Sequence, residues 1–203
     1  EGKLAAFLSG RNLERAAGAR RMSHLANLMA IALGGAMLGA MMNTLPGYDS
    51  SFQPFAVDAG ENGVGQGRLF TAELIGLRSA GAISYERYGK NVVRDTSATF
   101  LVAELAISAR EESRQIEAVW LGATGRQYNQ STRLENVPRG LSQARFEPRL
   151  TDRPLAIFEL PDDEIVGGRL VLMARGSMRM DSAVHFASPA SAPERQAMLR
   201  LGP

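Results

Sequence analysis

The 203-residue sequence contains no cysteine. This absence excludes disulfides, thiolate metal sites, a cysteine nucleophile and a lipidated-cysteine anchor. Histidine is scarce as well, since His24 and His185 are the two histidines in the chain. Two histidines cannot build a multi-histidine metal centre. We therefore expect neither a metal site nor a cofactor.

Catalytic motifs are missing too. The pattern Gly-x-Ser-x-Gly does not occur, and a Ser–His–acid site in the second half of the chain would have to use His185. His185 lies in the alternating stretch 183–186, which is typical of a strand histidine. The acidic groups at 111–112 and 162–164 fall at turns and lack the spaced acidic loop of a calcium site. We predict no catalytic residue and a protein that is not an enzyme.

One long stretch lacks charge. From Met22 to Tyr48 there is no Asp, Glu, Lys or Arg. A helix needs about 20 apolar residues to cross roughly 30 Å of hydrocarbon, and residues 24–45 supply 22. We predict a transmembrane helix over 22–46, ended by Pro46-Gly47. The alternatives are a helix buried in a soluble core and a cleaved signal peptide, for which the stretch is long. Because the chain begins with Glu1 instead of Met, we expect a preceding piece outside this numbering.

The charges on the two flanks predict the orientation. Residues 1–45 carry five basic and two acidic groups, a net of +3, whereas residues 46–203 carry 18 and 19, a net of −1. The positive-inside rule places residues 1–21 in the cytoplasm, as an interfacial amphipathic segment or a loose tail. The rest would lie on the periplasmic side of a bacterial inner membrane. The basic charge belongs to the membrane flank and does not indicate binding to nucleic acid.

Small residues repeat along the predicted span. Small faces let two helix backbones approach closely in lipid. The alternative is an anchor that touches lipid alone, since such spacing is common in membrane helices. The expected partners are therefore membrane lipid and either a polytopic membrane protein or a second copy of the chain. The residues predicted to form the packing face are Ala32, Gly35, Ala36, Gly39 and Ala40.

Beyond the span, the pattern changes to short apolar runs separated by turns, without long helical periodicity. This pattern predicts a mainly β fold, an antiparallel sandwich over residues 67–187. Residues 47–66 are rich in glycine and predict a linker. Residues 188–203 are predicted as a tail, which either carries a short helix over 193–201 or is loose. The predicted strands are 68–78, 83–88, 99–109, 116–121, 126–129, 154–160, 169–173 and 182–186.

Two motifs in the predicted sandwich resemble a known family. Thr124-Gly-Arg-Gln-Tyr128 matches a hairpin, and Phe158-Glu-Leu-Pro161 matches a strand followed by a loop. Residues 68–187 are similar to the bacterial immunoglobulin-like domain of exported, membrane-tethered proteins of unassigned function. The resemblance implies an immunoglobulin-like β-sandwich used for interaction and transfers no active-site residue. The chain departs from the family in having a membrane helix and no lipobox cysteine.

Three functional hypotheses follow. The first is a non-enzymatic, single-pass accessory subunit of an envelope complex or transporter, which presents an immunoglobulin-like sandwich on the periplasmic side. The second is a self-standing extracytoplasmic module that binds or senses a ligand or glycan. The third is a hydrolase, which is disfavoured because the sequence offers few general acid–base groups.

Overall fold

A computed structural model describes residues 26–43, 54–176 and 181–202. The chain divides into two units, residues 1–51 and residues 52–203. In the described part of the first unit, helix α1 runs from Ala26 to Asn43, and it is long and apolar enough to cross a membrane. All 18 of its residues are exposed within the structure. The predicted amphipathic segment 1–21, and both ends of the predicted span 22–46, lie outside the described residues.

The second unit is built from strands. Two single turns of 3₁₀ helix, Leu141–Gln143 and Asp162–Glu164, interrupt them. The mainly β class predicted from the sequence is confirmed. The strands are β1 (Phe55–Asp58), β2 (Val64–Gln66), β3 (Phe70–Arg87), β4 (Lys90–Ala109), β5 (Ile116–Leu121), β6 (Gln127–Asn129), β7 (Leu155–Leu160), β8 (Arg169–Ala174), β9 (Ser182–His185), β10 (Arg195–Gln196) and β11 (Leu199–Leu201).

The strands form two sheets that pack as a sandwich. The first sheet has the order β1-β9-β8-β5-β6, and the second has the order β10-β3-β4-β7, with β2 and β11 also paired to β3. Most pairs are antiparallel, as predicted. The exceptions are short strands at sheet edges, where β1 runs parallel to β9 and both β10 and β11 run parallel to β3.

A long hairpin of β3 and β4 is the centre of the second sheet. The two runs predicted as separate strands, 68–78 and 83–88, form the single strand β3. Register shifts at Leu74/Gly76 and Ala80/Ala82 let the strand continue past its glycines. The hairpin turns at Tyr88 and Gly89. Both residues have positive φ, as a two-residue turn of type I′ requires.

Strand β4 is buried on both faces from Thr99 to Ala103, and beyond that its core-facing residues alone are fully buried. Leu101, Leu105 and Ile107 face the core between the two sheets, together with Trp120 and Phe158. The alternate residues Phe100 and Val102 face a second apolar cluster on the opposite side of the sheet. Residues 100–103 are accordingly a continuous apolar run, as expected for a strand at the centre of the fold.

The second cluster is covered by chain segments instead of a third sheet. Leu134, from the connection between β6 and β7, packs there with Leu199 and Leu201 of β11. Three short strands pair along the outer edge of β3, with β2 at Thr71–Glu73, β10 at Ser79–Ala80 and β11 at Ile83–Tyr85. A covered edge cannot recruit strands from another chain at those positions.

Two predicted segments differ from the structure. Residues 55–58 and 64–66, placed by their glycines in the linker 47–66, are strands β1 and β2. The physical reason is close packing: a Cβ on buried Gly65 would lie 2.1 Å from Val184 Cγ1. The predicted tail contains β10 and β11, and Leu199 and Leu201 are buried on either side of exposed Arg200, a period of two that a helix cannot provide.

The two-sided burial of β4 predicts a large effect of truncation. Leu101→Ala should lower the free energy of unfolding by about 3 kcal/mol, because it leaves a cavity in the core between the sheets. Val93→Ala, in the exposed half of the same strand, should change it by less than about 0.5 kcal/mol. Urea unfolding followed by the fluorescence of Trp120 measures both, and equal effects would contradict this account of β4.

Candidate functional site

The predicted packing face lies on α1. Helical periodicity places Ala32, Gly35, Ala36, Gly39 and Ala40 along one side of the helix. A Cβ built on Gly35 or Gly39 would meet nothing within 4 Å. Large apolar side chains surround this face, with Ile31 72% exposed and Met42 71% exposed. The role of this face in packing stays a prediction.

The hairpin motif contacts the turn that follows the second motif, at Glu164. Thr124, in the turn between β5 and β6, donates to the Glu164 carboxylate through its backbone N at 3.1 Å and its Oγ1 at 2.6 Å. Trp120 Nε1 donates to the backbone carbonyl of Glu164 at 2.9 Å. A Cβ on Gly168 would lie 2.5 Å from both that carbonyl and Trp120 Nε1. These contacts hold the β5–β6 hairpin against the turn that follows β7. The role of the motif is therefore structural.

Glu164 is buried, yet its carboxyl remains ionised. Hydrogen bonds from Thr124 lower its pKa below the ordinary value, against the opposing effect of burial. The same cluster explains a buried glycine in the hairpin, because a Cβ on Gly122 would lie 2.1 Å from Glu164 Oε2. A general acid at neutral pH needs a raised pKa, so Glu164 is unsuited to that role.

A second buried carboxylate belongs to Asp181. Arg68 donates to it twice, from Nε to Oδ1 at 3.1 Å and from Nη2 to Oδ2 at 2.8 Å. Burial acts to raise the pKa of Asp181, but the hydrogen bonds from Arg68 and from the Ser182 backbone together lower it. This ion pair joins the segment before β3 to the start of β9, and it too holds its carboxyl in the charged form.

Sequence reasoning singled out His185 for any hydrolytic site. The parallel pairing of β1 with β9 places Asp58 beside His185, and both line an open depression of about 410 Å³ with Ser188 and Arg169. Burial and the positive charge of Arg169 lower the pKa of His185, so the imidazole is neutral. Within the described residues no hydrogen bond joins its side chain to Asp58 or Ser188, and a triad requires that orientation.

A cleft that sequence reasoning missed lies on the connection between β6 and β7. It has a volume of about 390 Å³, and three arginines line it: Arg139, Arg145 and Arg153. One carboxylate, Asp152, and the side chain of Gln143 share the lining. The signal in the sequence was four arginines within fifteen residues of an irregular segment, of which Arg149 does not line the cleft. We call this feature the arginine cleft.

A neighbouring depression has a different character. It measures about 500 Å³ and is lined by Glu117, Glu135 and Arg175 among other polar groups. Arg175 Nε donates to Glu117 Oε1 at 2.6 Å, so its positive charge is already paired. The arginine cleft is therefore the one of the two depressions with an excess of positive charge.

The lowered pKa of Glu164 predicts a pH dependence of stability. A carboxyl with a depressed folded-state pKa stabilises the fold above its unfolded pKa of about 4.3, and this stability is lost as the pH falls through the folded value. Glu164→Gln retains an oxygen for Thr124 but cannot titrate. The variant should lose less stability than the parent chain between about pH 6 and about pH 3, a range that spans the unfolded pKa of the carboxyl. Urea midpoints from far-UV circular dichroism measure this, and equal losses would contradict the assignment.

Comparisons with known proteins gave few matches. No family model and no curated protein matches the chain. Among solved structures, an uncharacterized β-sandwich protein from Clostridium difficile 630 is 7% identical with a TM-score of 0.42, covering 66% of this chain and 95% of that one. A conserved hypothetical protein from Bacillus anthracis is 7% identical with a TM-score of 0.39, covering 61% and 94%. Neither likeness transfers a residue role, and the chain itself is a β-sandwich with one N-terminal helix able to span a membrane.

Proposed function

We propose that the chain is a non-enzymatic, single-pass accessory subunit of an envelope complex or transporter in the bacterial inner membrane. The observation that carries the proposal is α1, an 18-residue helix that is long and apolar enough to cross a membrane, joined in sequence to a β-sandwich. An apolar helix of this length is stable in hydrocarbon and costly to expose to water. Its glycine-rich face would pack on a helix of a polytopic protein or on its own copy.

The flanking charges support a periplasmic position for the sandwich. Lys3, Arg11, Arg15, Arg20 and Arg21 precede the helix, whereas residues 47–67 contain neither Lys nor Arg. Basic residues are retained on the cytoplasmic side during insertion. The absence of cysteine also makes each single-cysteine variant a unique chemical probe.

The non-enzymatic part of the proposal rests on the state of the titratable groups. Glu164 and Asp181 are both held ionised by hydrogen bonds to neighbouring groups. His185 is neutral but has no hydrogen-bonded orienting carboxylate among the described residues. A chain with this inventory is better suited to binding than to proton transfer. Hydrolysis abolished by His185→Ala in a folded protein would reverse this conclusion.

A self-standing, ligand-binding module is the second candidate. The arginine cleft favours it, since Arg139, Arg145 and Arg153 converge on a volume within the range of small-molecule sites. The two functions are compatible, because the cleft belongs to the sandwich and the packing face to the helix.

The orientation can be tested by labelling. Arg149→Cys places one thiol on an exposed position of the sandwich. A membrane-impermeant maleimide should modify it in intact spheroplasts to the same extent as after lysis. The control is Lys3→Cys, which should react after lysis alone. Labelling of position 149 that requires lysis would place the sandwich in the cytoplasm and overturn the proposal.

The packing face can be tested with two matched glycines. Gly35→Leu adds bulk to the predicted face, whereas Gly34 lies about 160° away around the helix from that face's centre, and both glycines have open space around them. Gly35→Leu should shift the complex extracted in mild detergent to the monomer, and Gly34→Leu should leave it unchanged. Native mass spectrometry measures the composition of both. A parent chain that is already monomeric and alone would contradict the proposal.

A further inference from the structure

We infer that the arginine cleft binds the dianionic phosphate of an organic phosphate monoester. This inference goes beyond the proposed membrane role and does not depend on it, because all of the residues involved belong to the sandwich. Arg139, Arg145 and Arg153 line the cleft from two chain segments that are close in space. Guanidinium groups bind phosphate through paired N–H donors, which gives both charge and geometric fit.

The backbone around each arginine is fixed by hydrogen bonds to neighbouring strands. The carbonyl of Arg139 accepts from the backbone N of Leu155 at 2.8 Å. Beside Arg145, Phe146 exchanges two backbone hydrogen bonds with Arg114, at 2.8 and 2.9 Å. These bonds fix the backbone at two of the three arginines, so less conformational entropy is lost when a ligand binds.

Arg153 is fixed in the same way. Its neighbour Asp152 exchanges two backbone hydrogen bonds with Ile107 of β4, at 2.9 and 3.0 Å, and Pro154 accepts from Leu105 at 3.1 Å. Arg153 thus lies between two residues that are tied to the most buried strand of the protein. The backbone at Arg153 is therefore held in place as it is at Arg139 and Arg145.

The guanidinium groups retain donors for a ligand. Arg145 donates from its Nε to Ser113 Oγ at 2.7 Å. Among the described residues, its two Nη groups donate to no other group. Arg139 forms an ion pair with Glu104 through Nη2, but the 3.6 Å separation is too long for a good hydrogen bond. Arg153 forms no ion pair within residues 26–43, 54–176 and 181–202. Since an arginine has five N–H donors, the cleft has unused hydrogen-bonding capacity.

The net charge of the lining selects a dianion. The three arginines and Asp152 of the lining sum to +2. Glu104 lies outside the lining and is shared between Arg139, at 3.6 Å, and Arg78, at 3.8 Å. A phosphate monoester carries a charge of about −1.5 to −2 at neutral pH, so it would neutralise the cleft. Val137, Ala144 and Pro154 form an apolar part of the lining, on which the organic part of the ester would rest.

The test is a calorimetric titration of the full chain in detergent micelles with glycerol 3-phosphate at low salt. We expect saturable binding that Arg145→Gln and Arg153→Gln each weaken about tenfold, the effect of losing one charge-assisted hydrogen bond. Arg149→Gln is the matched control, because Arg149 is exposed on the same segment but does not line the cleft. The control should remain within about twofold of the parent chain, which screened surface charge allows.

Two outcomes would overturn the inference. One is the absence of saturable binding by both glycerol 3-phosphate and inorganic phosphate in a chain whose Trp120 emission shows it to be folded. The other is an equal loss in Arg149→Gln and Arg145→Gln, which would indicate non-specific attraction to basic surface.

The source of the phosphate is decided by a second arm of the same titration. The full chain is reconstituted in discs of zwitterionic lipid, with or without phosphatidic acid. If a lipid headgroup is the ligand, discs that contain phosphatidic acid should suppress binding of glycerol 3-phosphate to the parent chain. If the ligand is a soluble ester, the two titrations should agree. For a lipid ligand, Arg145→Gln should abolish the difference between the two kinds of disc. For a soluble ester, it should weaken binding in both. Either pattern supports a phosphate site.

Discussion

The burial of β4 on both faces is the constraint on which the rest of the sandwich depends. A strand that is apolar on two sides needs two covers. The first sheet supplies one through Trp120 and Leu172, and both pack in the core between the sheets. The second cover is assembled from irregular chain, the connection between β6 and β7 and the C-terminal strand β11. The connection between β6 and β7 contributes to both covers, because Leu134 packs in the second cluster whereas Leu141 and Phe146, which lie between the arginines of the cleft, pack in the core between the sheets.

The strands that bury apolar residues could be predicted from sequence, and the edge strands could not. Runs such as 99–109 and 116–121 satisfy a simple rule of alternating or continuous apolar residues. Glycine is ambiguous, because it signals flexibility in one context and close approach in another. Gly65 illustrates the second case, since its missing Cβ makes room for Val184. The short strand β11 has just two apolar residues, too few for a periodicity to be recognised.

The candidate sites show the same division. The helix face could be predicted because its residues repeat at helical spacing within one element. The arginine cleft could not, because Arg139, Arg145 and Arg153 follow no period and meet through tertiary pairing with β4 and β7. A general excess of arginine also concealed them, since 21 of the 23 basic residues are arginine. Likewise, the proximity of Asp58 to His185 depends on a parallel pair of edge strands, which local patterns do not reveal.

Backbone strain is concentrated in the segment between β6 and β7. Positive φ occurs at five glycines and at four other described residues, Tyr88, Asn136, Arg139 and Arg149. Three of these four lie between β6 and β7. Such a conformation costs a non-glycine residue roughly 1 kcal/mol, and it persists where the surroundings impose it. Glycine at position 139 would relieve the strain but remove a guanidinium from the cleft. The same strain occurs at Arg149, which does not line the cleft, so the strain follows from the path of the whole covering segment and does not by itself indicate binding.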